Sequence, residues 1–253
     1  MGISSAMTSD GGRVAVAAAI LAASATLGMV VAGAADGARA QRVGASLSAK
    51  PSCPEKKGAN ANPKKACRAE GSVTAFVTKA GDQTMPTRVR ADGKIVAWSV
   101  KMSRPAKRER AYFGSHFENK SFGEAPSGRI SILKKTKQKG KPAYKLARKS
   151  PSVDLSDSYG SEPLITLDAP LRIKKGEIVA FTMPTWTPSL ALGLSRKKYK
   201  WRASRKTGQC NTPKDIFNGH PQEKIGSKRR YGCLYDAALP LYSAYFVKSG
   251  GGK

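Results

Sequence analysis

Residues 96–102 read Val-Ala-Trp-Ser-Val-Lys-Met, and this stretch decides the class of fold. Val96, Trp98, Val100 and Met102 take every second position, with Ala97, Ser99 and Lys101 between them. A period of two sends alternate side chains to opposite faces of an extended chain, so the segment predicts a strand with one buried face. The same pattern recurs on both sides of it, at 72–78, 129–134, 144–149, 164–167, 171–173, 177–183, 190–194, 199–203 and 239–247. Turn formers punctuate these runs: Ala91-Asp92-Gly93, Lys175-Gly176, Pro184 and Pro188. No 3.6-residue period is sustained after residue 35. Many short strands with Gly/Pro turns predict an all-β fold, a single β-sandwich with a jelly-roll-like or immunoglobulin-like arrangement, over 72–248.

The flanks differ from this body. Residues 14–35 carry no charge and are dominated by Ala, Val, Leu and Ile, with Arg13 before them. Ala38-Arg39-Ala40 follows and fits the small-x-small pattern of a cleavage site, so 1–40 is expected to be a signal peptide cut after Ala40. The alternative is an uncleaved leader that anchors the chain, since the apolar run is long enough to span a bilayer. Either way the remainder is expected outside the cytoplasm, secreted or held at the membrane. Residues 41–71 are polar and aperiodic and predict a linker with one disulfide loop, so the N-terminal region is expected to be disordered. Residues 249–253 predict a flexible tail.

The chain has 45 Lys and Arg against 17 Asp and Glu, a formal charge of +28. The leader contributes two charges of each sign (Arg13, Arg39, Asp10, Asp36), so its removal leaves that excess unchanged. A field of this size repels copies of the same chain and attracts anionic polymers. A soluble domain needs a net charge of only about 2–8, so solubility alone does not account for it.

All four cysteines lie beyond the leader, at Cys53, Cys67, Cys210 and Cys233. An even count in an exported chain predicts two disulfides, with three connectivities available. The two local pairs are favoured, because each brackets a polar loop with little to pack around. A cross-link there is worth about 3 kcal/mol in the loop-entropy model. A metal site built from Cys210, His220 and Cys233 matches no zinc-module spacing, and no cofactor is implied.

Four segments carry a resemblance: 91–100 (ADGKIVAWSV), 172–186 (RIKKGEIVAFTMPTW), 201–210 (WRASRKTGQC) and 229–247 (RRYGCLYDAALPLYSAYFV). Over about 72–247 the chain resembles a group of uncharacterised exported bacterial β-sandwich proteins, the PTW, WRASR and YGC stretches being the most specific. The resemblance implies secretion and a β fold, supports pairing Cys210 with Cys233, and implies no activity.

The candidate chemistry lies in the basic segments. Residues 134–149 hold eight Lys or Arg and no acid, and 196–206 hold seven and no acid. Smaller clusters occupy 104–110 and 224–230. In the second segment Arg196, Lys197, Lys198, Lys200 and Arg202 alternate with Tyr199 and Trp201. Cations that hold an anionic chain and aromatic faces that stack on its rings are what a polyanion site requires. In a strand, however, Tyr199 and Trp201 share the face opposite Lys198, Lys200 and Arg202, which suits core packing as well. Trp186, between Pro184 and Pro188, is either a stacking platform on a rim or a plug at the sandwich end. The two histidines, His116 and His220, are expected in loops. No nucleophile elbow, zinc-protease helix, Walker loop or Cys–His signature is present. Asp154 and Asp157 suit turn capping better than catalysis.

These features predict a non-enzymatic exported binding protein. Its partner would be an anionic polymer (an envelope glycan, a phosphate polymer or nucleic acid) or an anionic membrane surface. A secreted glycan-active hydrolase on the same scaffold, and a passive structural surface protein, are the alternatives. A sandwich fold decides among none of them.

Overall fold

The computed structural model describes residues 39–44, 49–53 and 67–249. The leader expected over 1–40 lies outside the described residues except for Arg39 and Ala40, as do the interior of the Cys53–Cys67 loop and the last four residues of the tail.

The chain runs β1 (Gln41–Gly44), β2 (Glu70–Ala80), β3 (Gln83–Thr84), β4 (Gly93–Val100), α1 (Lys107–Phe117), β5 (Ser127–Gln138), β6 (Lys141–Lys149), β7 (Val153–Asp154), β8 (Leu164–Ile173), β9 (Ile178–Thr187), β10 (Leu190–Leu192), β11 (Tyr199–Ala203), α2 (Pro213–Phe217), β12 (Lys228–Arg229), β13 (Cys233–Asp236), β14 (Ala238–Pro240) and β15 (Tyr242–Lys248). Two antiparallel sheets pack face to face, and the fold is an all-β sandwich. The smaller sheet has the order β1-β15-β4-β8 and the larger β12-β6-β5-β9-β2-β11-β13, while β10 and β14 form a separate ribbon.

The core between the sheets follows from the alternation read in the sequence. Val73, Ala75 and Val77 of β2, Val179, Phe181 and Met183 of β9, and Trp201 and Ala203 of β11 face Trp98, Val100, Tyr242, Ala244 and Phe246 of the smaller sheet. Phe181 lies between Trp98 (ring centroids 5.7 Å) and Tyr242 (5.4 Å), and the Tyr242 hydroxyl donates to the Val179 carbonyl at 3.0 Å. Buried side chains of this size each contribute about 1.5–3 kcal/mol by leaving water.

Three expectations need correction. Val96 is not a core residue. The registers on both sides of β4 skip it, so a β-bulge reverses the parity and Ile95 joins Trp98 on the core face. The segment 41–71 is not wholly a linker. Gln41–Gly44 adds an edge strand to β15, and β2 begins at Glu70. The absence of helix was also too strong. Phe113 and Phe117 are one helical turn apart and pack on Trp186, which anchors α1 through a stripe too short to register as a period.

The outer face of the larger sheet is not left to solvent. Residues 204–232 fold over it and seal a second cluster of Phe76, Leu133, Leu146, Ile178, Ala180 and Tyr231. This covering segment has few apolar residues and is held by polar ones. Gln222 is buried and accepts from the Tyr231 hydroxyl at 2.9 Å, while its side-chain amide donates to the Ser227 carbonyl at 2.8 Å. Its backbone amide donates to Thr74 Oγ1, the end of a hydroxyl chain that runs through Thr182 to Ser131. Cys210 and Cys233 are joined across the segment, and Cys53 and Cys67 are joined ahead of β2, so both local pairs are present. Disulfides of this kind belong to an oxidising compartment. No helix among the described residues is long and apolar enough to cross a membrane.

Candidate functional site

The covering segment leaves a cleft of about 710 Å³ between itself and the β5–β6 hairpin. Lys139, Arg205, Lys206, Lys228, Arg229 and Arg230 line it, with Asp215 as the lone carboxylate. These six cations come from three of the basic segments seen in the sequence, at 134–149, 196–206 and 224–230. The sequence distances between them are large, and the fold removes those distances.

Each cation is positioned by an identifiable device. Lys139 and Gly140 both take positive φ (49° and 73°), the backbone of a tight two-residue hairpin turn, so Lys139 sits at the tip between β5 and β6. Lys228 and Arg229 enter as β12, paired with Lys145 and Tyr144 of β6. Arg205 forms the floor. It is buried, ion-paired with the Glu70 carboxylate, and donates to the Gly71 carbonyl at 3.2 Å and the Tyr235 hydroxyl at 3.1 Å. Burial disfavours its charge, but the Glu70 carboxylate and the hydrogen bonds to Glu70 and Tyr235 outweigh that and raise its pKa above the ordinary arginine value. The floor of the cleft is therefore a fixed Arg205–Glu70 ion pair, and the other five cations supply the positive charge above it.

A row of like charges crosses the edge strands of the larger sheet and ends at Lys228. Lys134 of β5 lies directly opposite Lys145 of β6, and Lys145 directly opposite Lys228 of β12. All three are exposed. Like charges directly across a sheet are destabilising by up to about 1 kcal/mol. Lys228 belongs to both the row and the cleft wall.

The residues singled out at 196–202 do not form one surface with the aromatics. Trp201 is 1% exposed and stacks on Tyr235 inside the sandwich (centroids 4.5 Å). Trp186 is also 1% exposed; its indole N–H donates to the Glu124 carbonyl at 2.8 Å and its ring packs against Phe113 and Tyr159. Neither can stack on a ligand, and Trp186 is the plug rather than the platform. Tyr199 is half-buried against the core. Arg196, Lys197 and Lys198 are exposed at the opposite end of β11 from Arg205, where Arg196 lies 3.9 Å from Asp236 and Lys198 3.8 Å from Asp82. Arg202 is half-buried and donates to the Tyr231 carbonyl at 2.8 Å, and Lys200 is half-buried beside it on the same strand. Of the segment 196–206, Arg205 and Lys206 reach the cleft.

The acid–base candidates resolve as follows. His220 lines the cleft, whereas His116 lies on α1, ring against ring with Tyr112 and Phe217. Asp215 shares the cleft with His220, but its carboxylate accepts the Thr212 amide at 3.2 Å and caps α2. Asp154 accepts the Ser156 amide at 2.7 Å, a turn-capping role. Among the described residues no group of three or more His, Cys, Asp or Glu is placed to hold a metal ion. No known protein family, curated protein or solved structure matches the chain.

Proposed function

We propose that this chain is an exported, non-enzymatic binding protein that holds an anionic polymer in the Arg205 cleft by charge. The observation that carries it is the convergence of three separate basic segments on one cleft with a buried arginine at its floor. A protein basic only for solubility has no need to bring like charges face to face across a sheet or to gather them in a concavity. Binding would proceed by release of counterions from the polymer, so affinity would fall steeply with salt. Secretion under a cleaved leader, and kinship to exported bacterial β-sandwich proteins, belong to the same proposal, and the two disulfides support it.

The test is a salt-titrated pull-down of the oxidised chain against acidic glycans, polyphosphate, DNA and neutral glycans. Salt-released binding that discriminates among the polyanions supports the proposal. Equal weak binding to all of them, or none, sinks it. A glycan-active hydrolase is the second reading, favoured by the presence of His220 and Asp215 in one cleft. The commitment of Asp215 to the α2 cap weighs against it, and incubation of the same glycans with the chain, followed by product analysis, decides between the two.

A further inference from the structure

A second cleft of about 680 Å³ adjoins the first, and Asn218, Gly219 and His220 line both. The ridge between the two clefts is therefore a single short stretch of the covering segment. It sits low because of Gly219: a Cβ there would lie 2.6 Å from the Ser72 carbonyl oxygen, so only glycine lets the chain pass this close to β2.

The two clefts differ in chemistry. The first, beyond the Arg205–Glu70 pair at its floor, sets five cations against one carboxylate. The second sets Lys120, Arg129 and Lys149 against Glu118 and Glu223. Glu223, 2.7 Å from the Arg129 guanidinium and 3.3 Å from the Lys149 ammonium, is shared between those two and offsets one positive charge, so three cations against two carboxylates leave an excess of only one. Besides these the second cleft presents the exposed Lys120, the carboxylate of Glu118 and two half-buried aromatic side chains, Phe122 and Phe217. Apolar faces with a few fixed polar groups suit a neutral polyhydroxylated ring, with hydroxyls donating to carboxylate and amide oxygens.

We infer that the joined clefts take an acidic glycan, with an anionic sugar in the Arg205 cleft and a neighbouring uncharged sugar against Phe217 and Glu118. The inference rests on reading the Arg205 cleft as an anion site and narrows it to a class of polymer. Nucleic acid and polyphosphate fit less well. They carry a charge on every repeat, and the second cleft, with one excess positive charge and carboxylates at Glu118 and Glu223, offers a phosphate much less than the first does. A glycan in which charged and uncharged sugars alternate places its neutral unit there.

The experiment measures affinities of the oxidised chain for a hyaluronan oligosaccharide, in which uronate and N-acetylhexosamine alternate, and for polyphosphate and single-stranded DNA of matched charge. The hyaluronan oligosaccharide is expected to bind about tenfold more tightly than either. Glu118→Gln and Phe217→Leu should each weaken glycan binding about fivefold, the worth of one hydrogen bond or ring contact, and neither should weaken polyphosphate binding. Arg229→Ala with Arg230→Ala should weaken all three ligands. Polyphosphate or DNA binding as tightly as the glycan, or glycan affinity unmoved by both Glu118→Gln and Phe217→Leu, overturns the glycan assignment while leaving the anion site intact. Absence of any polyanion binding, or indifference to the Arg229/Arg230 variant, overturns the anion site itself and this assignment with it.

Discussion

The guanidinium of Arg205 is ion-paired with the carboxylate of Glu70, 135 positions earlier in the chain, and the two residues are 4% and 6% exposed. The pair ties the covering segment to the start of β2 and forms the floor of the cleft. Removing one partner of a buried pair strands a charge away from water, at a cost of about 3–5 kcal/mol. Glu70→Ala should therefore lower the unfolding free energy by that amount in a denaturant titration. Glu70→Leu combined with Arg205→Met should recover most of the loss, because no unpaired charge remains. A single variant with unchanged stability would show that water reaches the pair.

The lysine row offers a test in which stability and binding move in opposite directions. Lys145 lies between Lys134 and Lys228, and Lys145→Glu turns two repulsive cross-strand neighbours into attractive ones. The variant should gain about 0.5–1 kcal/mol in thermal unfolding and lose affinity for polyanions in the salt-titrated pull-down. A variant that is less stable, or that binds as before, would remove the row from the site.

The Cys210–Cys233 bond closes the covering segment. Replacing both residues with alanine should destabilise the chain by about 3 kcal/mol. Hydrogen exchange should rise first across 204–232, since that segment has few apolar contacts of its own to hold it. Uniform loss of protection across both sheets would instead mean that the segment and the sandwich unfold as one unit.

Alkaline pH should unfold the protein through its tyrosines. Burial raises the pKa of Tyr231 and Tyr242 well above the ordinary value of 10.0, and Tyr159 is pushed up to about 12, again by burial, with the Arg110 charge opposing it. A folded-state pKa above the unfolded one means that the native state keeps the proton longer. The stabilisation is complete below pH 10 and is lost as pH rises from there through the folded-state values. Tyr231 and Tyr242, both fully buried, each add a slope of up to about 1.4 kcal/mol per pH unit in that window, and the half-buried Tyr159 adds less. Tyrosinate absorbance should then appear together with loss of the folded circular dichroism signal, and Tyr242→Phe should make the decline shallower. Tyrosinate appearing well before unfolding would mean that these hydroxyls are open to water.

Much of this architecture was legible from the chain alone, and the reason is local. The strand at 199–203 is legible residue for residue, because Tyr199, Trp201 and Ala203 alternate with Lys200 and Arg202. The period of two puts Val96 on the wrong face because a bulge inserts one residue without any mark in composition. Trp186 and Trp201 could be weighed between core and surface but not assigned, since an aromatic side chain serves either until its neighbours are known.

The sequence by itself determined the strand-rich class and the excess of positive charge, which depend on periodicity and on counts, and it favoured the two local cysteine pairs without deciding among three connectivities. Only the tertiary structure decided where that charge acts. Lys139, Arg205 and Lys228 meet because a hairpin turn, a buried ion pair and a short edge strand bring together segments that are dozens of residues apart. Contacts between such segments are set by which faces of two sheets bury one another, and no local pattern in the chain encodes that choice.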